Sequence, residues 1–220
     1  MDILVIAAHP DDEVIGMGAT IKKLSRKNHI ALCVVSEGAS AQYSNKEMIA
    51  VRRKACIKSS KILGITDIIF LDFPDMKLDS VPQLEINREL EKIIKEMKPE
   101  IIFTTPHHDL NKDHQIVFDS TLVAARPLSS SIKEIYCYEL SGIVKEAFRP
   151  NIFVDISNEL SYKIKAFKMY KSEIKKFPHA RSFKSIENLS VQRGVESGLE
   201  SAEAFELIRK IVSGKNDMYS

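Results

Sequence analysis

Two stretches of this chain gather side chains that could hold a metal and move protons: Ala8-His9-Pro10-Asp11-Asp12-Glu13, and the run from Thr105 to His114, TPHHDLNKDH. The first puts one imidazole and three carboxylates directly after the apolar run Ile3 to Ala7. So much charge beside a buried segment is costly unless something neutralises it, and a divalent cation does so most simply. The first stretch cannot complete a site alone, because zinc with one open position usually takes three protein ligands. His9 and Asp12, joined by His114 from the second stretch, offer two imidazole nitrogens and a carboxylate oxygen. Those donors suit zinc at roughly 2.0–2.2 Å, with water in the remaining position. Asp11, adjacent but not needed as a ligand, is then placed to accept a proton from that water. Each residue also has an ordinary use: Asp12 as a helix cap, His9 as a loop residue, and His107, His108 and His114 as solvated side chains. Spacing alone leaves both readings open, although four of the six histidines fall in these two stretches.

The surrounding elements must bring the stretches together. Ile3 to Ala7, Ile30 to Val35, Ile68 to Leu71 and Ile101 to Thr104 read as short buried strands, rich in branched residues. Helical patterns fall between them, at about 13–27, 46–63 and 82–98, with Gly64 and Pro99 closing the last two. Strand–helix alternation of this kind predicts a three-layer, Rossmann-like α/β fold whose mostly parallel sheet carries helices on both faces. In such a sheet the strand-exit loops share the carboxyl edge, where both stretches and Asp72 to Asp75 would meet. Gly16 and Gly18 near the start of the first helix are expected where the backbone closely approaches the sheet or a ligand. After residue 125 the alternation lapses. Strands are expected at 132–138 and 152–156, an amphipathic helix at 159–176, a partly helical segment at 177–199 and a final helix at 201–212. This last third is expected to form an antiparallel edge or a cap over the site. We read one domain over 1–220, with a parallel core to 130, C-terminal strands and helices over 131–213 and a flexible tail at 214–220.

Composition narrows the classes. A chain of 220 residues supports one well-packed core. Its net charge of +2, with lysines scattered along the chain, argues against a nucleic-acid partner. Neither a signal peptide nor a spanning apolar run is seen, and three isolated cysteines resemble reduced thiols, so a cytoplasmic location is expected. The Gly-rich phosphate loop expected of a dinucleotide-binding module is missing.

Ala8 to Glu13, AHPDDE, followed by GMGAT at Gly16 to Thr20, resembles the opening signature of the PIG-L/LmbE family of zinc-dependent de-N-acetylases. Asn111-Lys112-Asp113-His114 resembles that family's second signature, and Asp155 to Arg209 resembles a bacterial branch associated with surface-sugar biosynthesis. The resemblance implies a Zn2+ cofactor held by His9, Asp12 and His114, with Asp11 as general base and Asp113 supporting the second loop. It implies removal of the acetyl group from an N-acetylated amino sugar or its conjugate, free, nucleotide-linked or lipid-linked. A lipid-linked substrate would bring peripheral membrane contact.

Arg52 matches an arginine at the family's substrate pocket, and Glu37, Asp75 and His107 are further candidates for the sugar. The chain departs from the family where Asn111 replaces a histidine that stabilises the oxyanion or donates a proton. Asn111 can still donate an N–H to an oxyanion, or His107 or His108 can reach in as the replacement. Ala55 likewise stands where a glutamate is common. The rival readings are a metal-dependent phosphoesterase, which more often needs two metals, and a catalytically weak relative that binds a sugar or nucleotide sugar. The apolar C-terminal helices are open to burial against the sheet or against a second copy in a homo-oligomer.

Overall fold

A computed structural model describes residues 1–142 and 144–212; the tail expected at 214–220 lies outside them. Five strands alternate with four helices in the first part: β1 (Asp2–Ala7), α1 (Asp12–Leu24), β2 (His29–Ser36), α2 (Glu47–Leu63), β3 (Asp67–Phe73), α3 (Gln83–Met97), β4 (Ile101–Thr104), α4 (Lys112–Ala124) and β5 (Glu134–Tyr138). The last part adds β6 (Ile152–Asp155), α5 (Leu160–Phe167), α6 (Phe183–Ser197) and β7 (Ala202–Lys210). The strands form one sheet in the order β3-β2-β1-β4-β5-β7-β6, parallel through β5, with β7 antiparallel to both neighbours.

The chain winds outward in both directions from β1. The order therefore reverses between β1 and β4, and the exit loops of those two strands border one crevice, the usual ligand position in an open α/β sheet. Strand β1 is apolar on every inner residue because both of its faces are covered. Ile3, Val5 and Ala7 join Val14, Met17, Cys56 and Phe167 on one side, whereas Leu4, Ile6 and Ala8 join Leu90, Ile94 and Val117 on the other.

The two glycines of α1 serve close packing. A Cβ on Gly16 would lie 2.3 Å from the Tyr138 ring, and one on Gly18 would meet Val14 and Lys163. Helix α1 kinks at Met17 (φ −144°). Past the kink, the freed N–H groups of Ala19 and Thr20 donate to the Glu203 carboxylate of β7 at 3.1 and 2.6 Å, and buried Lys163 pairs with the same carboxylate at 2.7 Å.

Two expected helices are corrected. Residues 201–212 hold strand β7 instead of a helix. Glu, Ala, Leu and Lys favour a helix, but β5 and β6 supply ladder partners on both sides, and pairing overrides that propensity. The helix expected at 159–176 stops at Phe167. The chain then turns twice, which carries Tyr170 and Glu173 under the loop that follows β1.

Candidate metal centre and active site

His9 follows β1, Asp12 opens α1, and His114 lies in the first turn of α4. Their facing atoms form a tight triangle: His9 Nδ1 is 3.3 Å from Asp12 Oδ2 and 3.2 Å from His114 Nε2, which is 3.4 Å from Asp12 Oδ2. All three side chains are buried. The opposite ring nitrogens are held by further carboxylates. His9 Nε2 lies 3.3 Å from both Asp113 Oδ2 and Asp75 Oδ1, and His114 Nδ1 lies 2.7 Å from Asp109 Oδ2. Outer carboxylates of this kind fix the tautomer and aim of metal-binding imidazoles. They are fixed in turn: Asp113 accepts from Met76 N and Leu78 N, and Asp109 accepts from Asn111 N.

This arrangement calls for a cation. Burial disfavours charge on His9, yet Asp113, Asp12 and Asp75 push its pKa up to about 10. Burial likewise opposes charge on His114, but Asp12 and Asp109 raise it to about 8. Burial works to raise Asp12, and the two imidazoles outweigh it and hold the carboxyl well below its usual range. Two imidazoles and a carboxylate with mutual separations of 3.2–3.4 Å fit a tetrahedral divalent ion.

Asp11 stands beside the triangle with φ at 122°, a conformation that L residues rarely adopt and that tends to persist at functional sites. Its carboxylate is fully buried between two guanidinium groups, 3.4 Å from Arg52 Nη2 and 3.2 Å from Arg181 Nε. Burial raises its pKa, and Arg181 and Arg52 pull against that. Neighbouring Glu13, which accepts from the Tyr170 hydroxyl at 2.6 Å, is pushed up to about 7 mainly by burial.

A cavity of about 400 Å³ opens above the triangle, lined by Asp12, His114, Asp109 and Asn111 on one side and by Leu140 to Gly142 and His179 to Arg181 on the other. Asn111 caps α4: its side-chain oxygen accepts from Asp113 N at 2.9 Å, which leaves its amide N–H groups for the cavity.

The residues expected at the sugar make these contacts within the protein. Arg52 is only 1% exposed and donates to the carbonyl oxygens of Gly38 and Pro10, so it braces the loop from beneath. Glu37 accepts from the backbone of Ala39, Ser40 and Asp75, and Asp75 faces His9. His107 and His108 turn toward Glu206 of β7 and do not line the cavity. The structure also brings Asp109, His179 and Arg181 to the cavity, with buried Glu173 against Arg52 and Arg181. Sequence reasoning missed all four. The signal for the last pair was a His-x-Arg step just before a serine that caps α6. The signal for Asp109 was an Asp-x-Asn turn five residues before His114.

Strand-end imidazoles and carboxylates around a metal-sized gap, with a spare buried carboxylate beside them, define the class of metal-assisted hydrolases. The family model for GlcNAc-PI de-N-acetylase, PIG-L, matches residues 4–125, and the chain belongs to that family of metal-dependent deacetylases. Among curated proteins, YaiS, an uncharacterized deacetylase of Escherichia coli K12, is 33% identical over 180 residues, 77% of this chain and 90% of YaiS. The diacetylchitobiose deacetylase of Thermococcus kodakarensis is 27% identical over 187 residues, 78% of this chain and 69% of that protein. The N,N'-diacetylchitobiose deacetylase of Pyrococcus horikoshii, solved with an inhibitor, shares the fold with a TM-score of 0.79, at 24% identity over 94% of this chain and 84% of that one.

Proposed function

We propose that the protein is a zinc-dependent de-N-acetylase, hydrolysing the acetamide of an N-acetylated amino sugar or sugar conjugate to acetate and a free amine. The observation that carries this is the triangle of His9 Nδ1, Asp12 Oδ2 and His114 Nε2, two of whose residues, Asp12 and His114, line the cavity, with Asp11 beside it. These three atoms would hold the zinc. When bound, zinc supplies Lewis-acid polarisation of the acyl oxygen and makes water a stronger nucleophile near neutral pH.

The remaining work falls to the chain's own groups. Asp11 accepts a proton as water adds to the acetyl carbon. The two guanidinium groups hold its carboxylate in position and oppose the rise in its pKa that burial causes. The Asn111 amide donates to the developing oxyanion. His179 contributes a second donor. Its Nδ1 accepts the N–H of Arg181 at 3.0 Å, and an amide hydrogen there places the ring's own proton on Nε2. As the C–N bond breaks, Asp11 returns its proton to the departing nitrogen. Asn111 thus serves as a donor with no proton to give, and His108 takes no part.

A diacetylated amino-sugar substrate in two of the similar proteins supports the substrate class. Among the described residues no helix is long and apolar enough to cross a membrane. The three cysteines are free and buried, which supports a reducing, cytoplasmic setting.

The test is acetate release from a panel of N-acetylated free sugars, nucleotide sugars and sugar lipids, with zinc restored and after chelation. Zinc-dependent release is expected from at least one class. Bound metal with no release across the panel would overturn the substrate reading, and no bound metal would overturn the site.

A further inference from the structure

His107 and His108, which the active site does not use, converge with Glu206 on a second cluster. Their Nε2 atoms lie 3.4 and 3.5 Å from the same oxygen, Glu206 Oε2. Ligands bonded to zinc at about 2.0–2.1 Å in a tetrahedron sit about 3.3–3.4 Å apart. The separations at His9, Asp12 and His114 are 3.2–3.4 Å, close to the two that link Glu206 to His107 and His108. Glu206 Oε2 is buried and accepts no hydrogen bond among the described residues.

The surroundings hold the cluster in place. The His107 ring stacks on Phe118 at 4.7 Å, and the backbone carbonyl of His108 accepts from Lys145 N at 2.9 Å. Glu146 Oε2 lies 3.7 Å from His108 Nδ1, on the edge of the ring away from Glu206, where an outer carboxylate would orient a ligating imidazole. A purely ionic account fits less well. Two protonated imidazoles with ring centroids 3.5 Å apart would repel each other across one carboxylate oxygen. Two neutral imidazoles and a carboxylate sharing one cation leave no such conflict.

We propose that His107, His108 and Glu206 form a second binding site for a zinc-class transition cation, with water completing the coordination. It shares no side chain with the first triangle and takes no part in the acyl cavity. It is built on the same loop, with His108 immediately before Asp109, which orients His114. Its ligands are 32%, 13% and 20% exposed at the side chain, so its ion exchanges with solvent more readily than one held by His9, Asp12 and His114.

The test is zinc titration of the metal-stripped full chain by calorimetry, with bound metal counted on the same samples and circular dichroism as a folding control. The wild type is expected to take two equivalents, one tighter than the other. Glu206→Gln and, separately, His108→Ala should each abolish the weaker equivalent, a loss of about 100-fold or more in affinity, and leave the tighter one unchanged. His114→Ala should do the reverse, which separates this site from the one proposed for the reaction. A single equivalent in the wild type, or two that persist at unchanged affinity in folded Glu206→Gln and His108→Ala, would overturn the proposal.

Discussion

The floor and the rim of the cavity are built by different means. The floor is made by two short strand-exit loops, each set by its own strand and the helix that follows, so its chemistry lies close together in sequence. The rim is made by residues 139–142 and 175–182, far along the chain and fixed by tertiary contacts. Glu139 grips Arg193 of α6 through both carboxylate oxygens at 2.7 and 2.5 Å, Lys175 N donates to Arg181 O, and Ser141 Oγ donates to Ala180 O. The one direct ion pair from rim to floor is Arg181 with Asp11 among the described residues. On the proposed reaction the floor supplies the metal ligands and the base, while the rim positions that base through Arg181 and adds His179 as a donor.

Variants can break that division. The largest expected effect is on the floor: Asp11→Asn should retain bound metal and lose about 10²- to 10⁴-fold in turnover, whereas His114→Ala should lose both metal and turnover. Metal content and acetate release on the same preparations check this, and equal metal loss in both would make Asp11 a ligand. Next is the brace beneath. Arg52→Ala strips a buried guanidinium from two carbonyl oxygens and from Asp11 and Glu173, and should cost about 3–5 kcal/mol of stability, read by denaturant unfolding. A variant as stable as the wild type with impaired kcat would return Arg52 to the substrate.

The rim should give a smaller loss. His179→Ala should lower kcat/KM about 10- to 100-fold with metal and stability intact, while His179→Asn, which keeps an N–H donor, should recover part of it. No loss in either would confine His179 to shaping the loop. The gentlest probe is pH. A cation must displace protons that the metal-free site holds up to about 8 on His114 and about 10 on His9, so apparent zinc affinity should rise with pH, about tenfold per unit for each proton displaced. The metal-free chain should show the opposite trend. Both folded-state values lie above the ordinary value of about 6.5, so the stability they confer is complete below that pH. It is lost as pH rises through about 8 and then about 10. A flat zinc affinity across pH 6–8 would show that the imidazoles are not the ligands.

Legibility followed the same division. Strands β1 to β4 could be read because each is a short apolar run punctuated by polar loops and bounded by helical patterns. Strand β7 could not, because AEAFELIRK suits a helix as well as a strand until its neighbours are known. The helix at α5 was read too long because Tyr170 and Ile174 continue its apolar stripe after the backbone has turned. At the site, His9, Asp12 and His114 were legible as candidates because imidazoles and carboxylates are sparse next to buried strands. The bracing position of Arg52 was not legible because a guanidinium in a pocket and one beneath it look alike in sequence. His179 and Arg181 were hidden because only the folded chain brings residue 181 to residue 11.

The carboxylate of Glu203 at the kink of α1 has a bearing on synthesis. The first loop, residues 8–13, is synthesised early, but the helix that anchors it has two backbone donors, on Ala19 and Thr20, whose partner is Glu203. Strand β6 also waits, since its partner in the sheet is β7. A nascent chain stopped short of residue 202 carries all three ligands of the first triangle yet lacks the strand that closes the sheet. The metal triangle and the packing that anchors its first loop thus come from chain segments nearly 200 residues apart.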